Sequence, residues 1–579
     1  MPAGKAQGSL AARLMTRDGE RIGRMLVLAA TTLTCLMFLG NAFLVEGAAY
    51  AIQDDARQFL AWTVRLADPA ALKGDLIADY WHSVTPRALR AIYGGFALVG
   101  ISPLVLARLI PVVLLMISAL ATWRIALTLT GGRALAALVT TGLTMALLVH
   151  EDSIFSATAR AFSPPLFLLF LDGLLRERRW QMVASLGVLA AIYPTTALVG
   201  LTMLGLSALR RRWPLPLDLS ARNILTLAAA TLAVAAPIAF LPGEVSRWEP
   251  VISMADALTM PNLGTPGGRS SIVPIAGAYP WLCSARVGIL PEIFPCWASR
   301  WASIVNLLLL APLLFLGLRA GLRAWRGQGG GNPRSGDLIY LWAAVAGVAW
   351  WGVATIFAFK LHLPARYPQR VLSILEFMAL GQIIGLWLDQ RLRSAAGVGW
   401  ARWVLPGLLA LFAVSFATPT PGMRRPADPG AIDWLMASPR DIRVGGLSQE
   451  LDFVPAVTGR ATHVTIEHAI PYHLTYFGEI NRRLKATVAA ATTPDAAALA
   501  QFVEAERLDV LLVDRAFVEA GTMPEGYAGV VAAEVTKGED ALARAPSALQ
   551  RLAPRCALYQ GPQVWVIDAK CLAAPPPPA

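Results

Sequence analysis

Apolar runs as long as a bilayer is thick recur along most of this chain, and they decide what it can fold into. Residues 25–44 and 301–318 approach the roughly 20 residues a helix needs to cross a hydrocarbon core. Further runs occupy 104–129, 133–150, 163–175, 181–193, 194–208, 223–242, 338–358, 370–388 and 403–418. No water reaches backbone amides in that core, so eleven such runs imply a bundle of membrane helices. Only 15% of residues are charged, against about 25% in soluble domains. That excludes a disordered chain and argues against a soluble enzyme. Residues 88–103 read as an amphipathic helix on the membrane surface.

The placement of charge sets an orientation. The formal net charge is +12, yet from residue 419 onward 15 basic and 18 acidic residues give −3, leaving +15 for residues 1–418. Excess Lys and Arg mark cytoplasmic loops. Lys5, Arg13, Arg17, Arg21 and Arg24 therefore predict an inside N-terminus, and the run after them is too long for a signal-peptide core. Eleven alternating crossings put these arginines in inside loops: Arg133; Arg176, Arg178 and Arg179; Arg210, Arg211, Arg212 and Arg222; Arg319, Arg323, Arg326 and Arg334; Arg391, Arg393 and Arg402. Tyr193-Pro194 predicts two half-helices meeting at a break; taking 181–208 as one helix would invert everything after it. Residues 327–331 read as an inside glycine linker. No basic stretch is interleaved with aromatics, so nucleic acid is not an expected partner.

Four pieces then fall outside: 47–90, 150–163, 243–300 and 419–579. All six histidines (His82, His150, His362, His463, His468, His473) lie there or at its edge. So do two cysteine pairs close in sequence, Cys283/Cys296 and Cys556/Cys571, for which disulfides are plausible in an oxidising compartment. Residues 419–579 have ordinary soluble composition. A helix over 494–507 and buried strands at Val510–Asp514 and 564–567 predict a small α/β domain, with disordered prolines at 575–578. His463, His468 and His473 recur every five residues, the wrong step for one helical face, so surface or acceptor-facing histidines are expected rather than a zinc site.

Acids at the outer ends of helices carry the chemistry. Asp54 and Asp55 follow the first helix, with Arg57 three residues beyond Asp54. One of the two is expected to cap a short helix, leaving the other as a base for an acceptor hydroxyl. Glu151 and Asp152 follow the run 133–150 and precede Arg160. Lys360, His362, Arg366, Tyr367 and Arg370 cluster where 338–358 ends, a set suited to a lipid phosphate or pyrophosphate. His82 and Arg269, the latter in the glycine-rich stretch 262–269, are candidate acceptor contacts.

An acidic residue in the first outside loop of a polytopic chain, ahead of further outside loops and a soluble C-terminal domain, resembles the GT-C glycosyltransferases. Short patches resemble a bacterial group of GT-C-like membrane proteins: Asp54–Gln58, Asp75–Tyr80, Ser83–Pro86, Arg160-Ala-Phe162-Ser-Pro164, Leu363-Pro-Ala-Arg366-Tyr367, and Glu467 with Pro471, His473 and Tyr476. The resemblance implies an inverting transfer of sugar from a polyprenyl-phosphate donor to a cell-envelope glycan, lipid or protein, at the outer face of a bacterial inner membrane. Its loop-one Asp would be the base, with Glu151 and Asp152 as further acids. Arg366 and Arg370, with Lys360, Tyr367, Arg57 or Arg160, would hold the phosphate. It implies no required cofactor; a divalent metal between the acid pairs would suit oxygen ligation but is not favoured. The WWD signature of oligosaccharyltransferases is absent, so protein N-glycosylation is not expected. The rival reading is a transporter or flippase for a lipid-linked or anionic solute, for which Asp172, close to the inner end of its run, reads as the candidate ionisable group near a helix interior. A non-catalytic assembly scaffold is a third.

Overall fold

A computed structural model describes residues 13–16, 18–208, 220–239, 245–326, 336–394 and 398–574. Lys5, Arg17, Arg210, Arg211, Arg212, Arg334 and the stretches 327–331 and 575–578 lie outside them. Eleven helices coincide with the eleven apolar runs: Gly19–Phe43, Pro103–Leu129, Ala134–His150, Ser163–Leu175, Arg179–Ile192, Pro194–Ser207, Ala221–Ala239, Ala302–Trp325, Leu338–Ile356, Arg366–Arg393 and Val398–Ala417. Six of them are long and apolar enough to cross a membrane. The expected break is present: Tyr193 is extended (φ −143°, ψ 81°), and Pro194 opens the next helix, where its missing N–H costs nothing. The surface-helix segment forms the helix Arg87–Leu98, with Leu89 and Tyr93 buried and Phe96 and Leu98 exposed.

Arg366–Arg393 is the most enclosed of the six long helices. It lies along Ala134–His150 at a separation only glycine permits. A Cβ on Gly381 would come within 2.6 Å of Thr140 Cα, and one on Gly385 within 2.6 Å of Ala136 O. This close contact brings the start of the first helix beside the end of the second. Arg370 thereby meets Glu151 at 3.6 Å, with Arg366 one turn before it on the same helix.

Past Met423 the chain forms a five-stranded sheet in the order β4-β3-β5-β7-β6. β3 (Arg443–Leu447) runs parallel to β4 (Ala461–Thr462) and β5 (Val510–Asp514), while β7 (Val564–Asp568) is antiparallel to β5 and to β6 (Ala557–Gln560). β5 is the expected apolar strand, and helix Ala496–Ala505 precedes it. The tail is stitched to the loop that follows the first helix. β1 (Ile52–Gln53) pairs antiparallel with β2 (Met423–Arg424), Tyr80 stacks on Tyr476 with centroids 3.7 Å apart, and Asp75 accepts Thr462 N at 3.0 Å. Both cysteine pairs are bonded, with Cα–Cα distances of 5.9 and 5.5 Å, and Cys35 is free and buried.

Two histidine expectations are corrected. His463 and His468 are completely buried, not surface or acceptor-facing. His468 shares a 2.7 Å hydrogen bond with Thr465 Oγ1, and His463 lies beside Arg443 and Arg483. Burial, aided by neighbouring guanidiniums, pushes their pKa values down to about 3 and about 2.

Candidate active site

The short helix Asp54–Phe59 positions the first acid pair. Its cap is Gln53, whose Oε1 accepts Ala56 N at 3.1 Å, so the expected aspartate cap is corrected. The cause is long-range: the β1–β2 pairing continues through Asp54 N to Gly422 O at 3.0 Å, and Gln53 is the last strand residue. Both aspartates are therefore released from capping. Asp54 takes Arg57 at 2.9 Å and Arg424 at 3.3 Å; Asp55 takes Arg160. Arg160 also reaches Asp152 at 3.3 Å, and Arg370 reaches Glu151 at 3.6 Å. The four expected acids thus fall into three neighbouring ion-pair groups, around Arg57, Arg160 and Arg370. Burial raises the Asp152 pKa, with Glu151 and Asp54 adding to the effect and Arg370 and Arg366 opposing it.

Cations collect on one side. Arg366 and Arg370, four residues apart at the start of their helix, share a face. Tyr193, at the helix break, lies close enough to Arg370 for its field to act on it. Burial first, then the fields of Arg370, Arg366 and Arg286, weaken the Arg160 guanidinium's hold on its proton. The same three arginines, after burial, push His362 down to about 3. Among the described residues neither Arg366 nor Arg286 has an acidic partner within ion-pair distance. The cluster thus sets two guanidiniums that no ion pair among the described residues engages beside Arg160 and Arg370.

A second ring lies behind Asp54. Arg57 also contacts Glu467 at 3.1 Å and Asp452 at 3.8 Å, and Arg269 binds Glu467 at 2.7 Å. Arg269 therefore faces the tail's acids. Asp452, Arg424, Arg286 and Tyr193 were not legible as site residues, because nothing in their local sequence links them to Asp54 or Arg366.

Three expected contacts serve elsewhere. Tyr367 is buried, stacked on Trp350, and donates its hydroxyl to Leu361 O at 2.9 Å, so it fixes the helix start and is no phosphate ligand. Lys360 is exposed in the turn between Phe359 and His362, both at positive φ. His82 packs edge-on against Trp62 and meets Arg90 at 3.3 Å. Among the described residues no three His, Cys, Asp or Glu side chains are arranged to hold a metal ion, and guanidiniums occupy the four acids. A cleft of about 810 Å³ between Lys73–Leu76 and the tail's Arg443, Arg483 and Arg507 shares no residue with this site.

This architecture, a body of apolar helices with the acid-bearing loop after the first of them sewn to a C-terminal α/β unit, is the fold of a multi-pass membrane protein. It is similar to the archaeal oligosaccharyltransferase AglB from Archaeoglobus fulgidus, solved in complex with an inhibitory peptide and a dolichol-phosphate: TM-score 0.50, 10% identity, covering 90% of this chain and 72% of that one. The Archaeoglobus fulgidus oligosaccharyltransferase tethered by a disulfide to an acceptor peptide containing the NVT sequon matches with TM-score 0.50 and 10% identity, over 91% of this chain and 72% of that one. At that identity the likeness establishes the fold. No family model matches the sequence, and no curated protein does.

Proposed function

We propose that the protein is a membrane glycosyltransferase that moves a sugar from a polyprenyl-phosphate donor to an extracytoplasmic acceptor with inversion. The observation that carries this reading is the juxtaposition of Asp55, Asp152 and Glu151 with four arginines, two of them without an ion pair among the described residues, where the Arg366–Arg393 helix begins. Guanidiniums left without ion pairs among the described residues suit an anionic head on a lipid carrier. The dolichol-phosphate bound to AglB belongs to the same chemical class. Asp55 accepts the acceptor's hydroxyl proton, the oxygen attacks the anomeric carbon, and the sugar–phosphate bond breaks opposite it. The phosphate leaves as an anion held by Arg366 and Arg370. Asp54, engaged by Arg57 and Arg424, positions the loop. No metal enters this scheme. The N-terminus lies inside and the tail outside a bacterial inner membrane, with a cell-envelope glycan, lipid or protein as acceptor.

The test is sugar transfer in membranes from a panel of polyprenyl-phosphate donors, comparing wild type with Asp55→Asn and Asp54→Asn. Loss in the first variant alone supports the assignment; full transfer in both overturns it. Digestion of residues 419–579 by external protease in spheroplasts supports the orientation, and protection inverts it.

One observation favours the transporter reading. Glu376, in the Arg366–Arg393 helix, is buried with neither carboxyl oxygen hydrogen-bonded. Lone carboxyls inside membrane helices commonly carry protons. Asp172 is no such group, since Arg124 and Arg176 each hold it at 2.9 Å. Solute accumulation that Glu376→Gln abolishes, without covalent product, would favour transport; transfer that survives Glu376→Gln would favour the enzyme.

A further inference from the structure

We infer that Arg286 is a further ligand for the donor phosphate, and that the Cys283–Cys296 disulfide controls donor binding by holding the loop that delivers it. The inference rests on the glycosyltransferase reading above and adds a residue and a mode of regulation to it.

Arg286 lies three residues past Cys283 in an outside segment without regular secondary structure, where a long side chain has no helix or strand to aim it. Its position is fixed instead by the helix that bears Arg366 and Arg370. Arg286 O accepts Ala365 N at 3.2 Å, satisfying a donor at the mouth of that helix. Gln369, between the two arginines, donates to Ser284 O at 3.0 Å and Leu290 O at 2.9 Å, pinning the loop on both sides of Arg286. Trp351 Nε1 donates to Val287 O at 2.8 Å. The turn itself is tight: Gly288 N donates to Ser284 O at 3.0 Å, and a Cβ on Gly288 would meet Ser284 N at 2.2 Å.

The far end of the loop is secured separately. Buried Asn306 accepts Phe294 N and donates to Phe294 O, both at 2.9 Å, and Glu292 accepts Cys296 N at 2.9 Å. The disulfide joins this anchored end to the residues preceding Arg286. Breaking it returns conformational freedom to the loop and loosens the placement of Arg286. These bonds set a guanidinium without an acidic ion-pair partner among the described residues beside other cations. Its field acts on Arg160 and His362, and Glu292 is the acid on which Arg286 and Arg366 both act. Holding like charges together costs free energy that a bound phosphate recovers.

The test measures binding of undecaprenyl phosphate to the full chain in detergent, before and after reduction. Arg286→Ala, Gln369→Ala and Cys283→Ser/Cys296→Ser are compared with Cys556→Ser/Cys571→Ser as the control for the other bridge. Reduction, Arg286→Ala and the first cysteine pair are each expected to weaken binding roughly ten-fold or more. Reduction should have no further effect in Arg286→Ala, and Arg286→Lys should recover part of the loss. In transfer assays the donor KM should rise and the acceptor KM stay unchanged, a split that general destabilisation would not produce. Wild-type affinity in Arg286→Ala overturns the ligand role while leaving the glycosyltransferase reading intact. Equal sensitivity to reduction with and without Arg286 overturns the disulfide's role. A wild-type protein that fails to bind undecaprenyl phosphate at all removes both.

Discussion

Asp55 pairs with Arg160 across two inter-helix loops, while its sequence neighbour Asp54 is bound to Arg57 and to Arg424 of the tail. One aspartate therefore faces the arginine cluster and the other ties the loop down. Asp55→Asn is expected to lower the transfer rate about 10²–10⁴-fold, the range for loss of a general base. Asp54→Asn should keep most activity and lose about 1 kcal/mol of stability or less, since its ion pairs are partly solvated. Initial rates and thermal unfolding of the two purified variants separate these effects. Equal losses of rate would sink the division of roles.

Arg366 and Arg370 stand one turn apart on a single helical face. Like charges so spaced repel unless an anion lies between them. Arg366→Ala is expected to raise the donor KM roughly 10–100-fold and to leave the acceptor KM unchanged. Arg366→Lys should recover only part, because an ammonium lacks the bidentate fork. Steady-state kinetics with each substrate varied in turn checks this; a rise in acceptor KM alone would move Arg366 to the other half of the site.

The helices were legible because apolar runs and arginine-rich loops are local signals. The Tyr193-Pro194 break was legible for the same reason, although Tyr193's proximity to Arg370 was not. The cap on Asp54–Phe59 was misread because Gln53 becomes the cap only through pairing with Met423, 370 residues away. Asp452 escaped notice for a similar reason: it meets Arg57 only once the tail folds back on the first loop. His463 and His468 were misplaced because spacing tells how residues are distributed along a helix and says nothing of burial in irregular backbone.

His468 provides a pH test with a defined sign. Its pKa is held at about 3 by burial and by Arg57 and Arg269, while an unfolded histidine titrates near 6.5. Between those values the unfolded chain binds a proton that the folded chain refuses, so stability is full above about pH 6.5 and falls as pH drops toward 3. The slope from one such group is about 1 kcal/mol per pH unit. His463 adds a second contribution of the same sign. His468→Gln should flatten the acid limb of the full chain's unfolding temperature between pH 6.5 and 4.5, relative to wild type. An unchanged limb would mean that His468 is protonated in the folded state.

Treatment with a chelator tests the electrostatic design of the site. Asp54, Asp55, Glu151 and Asp152 would repel one another if left bare, and a divalent cation is one remedy. Here arginines supply the compensation: Arg57 and Arg424 for Asp54, Arg160 for Asp55 and Asp152, Arg370 for Glu151. A dication added here would sit beside the guanidiniums of Arg366 and Arg286, which repel it. Transfer is therefore expected to persist after EDTA treatment and to gain nothing from added Mg²⁺ or Mn²⁺. Arg160→Ala exposes the same logic from the other side, since it leaves Asp55 and Asp152 uncompensated. In that variant transfer should fall sharply, and millimolar Mn²⁺ should restore part of it. Activity that EDTA abolishes in wild type and Mn²⁺ restores would show that the acids are metal ligands and that their arginine pairs yield to the ion.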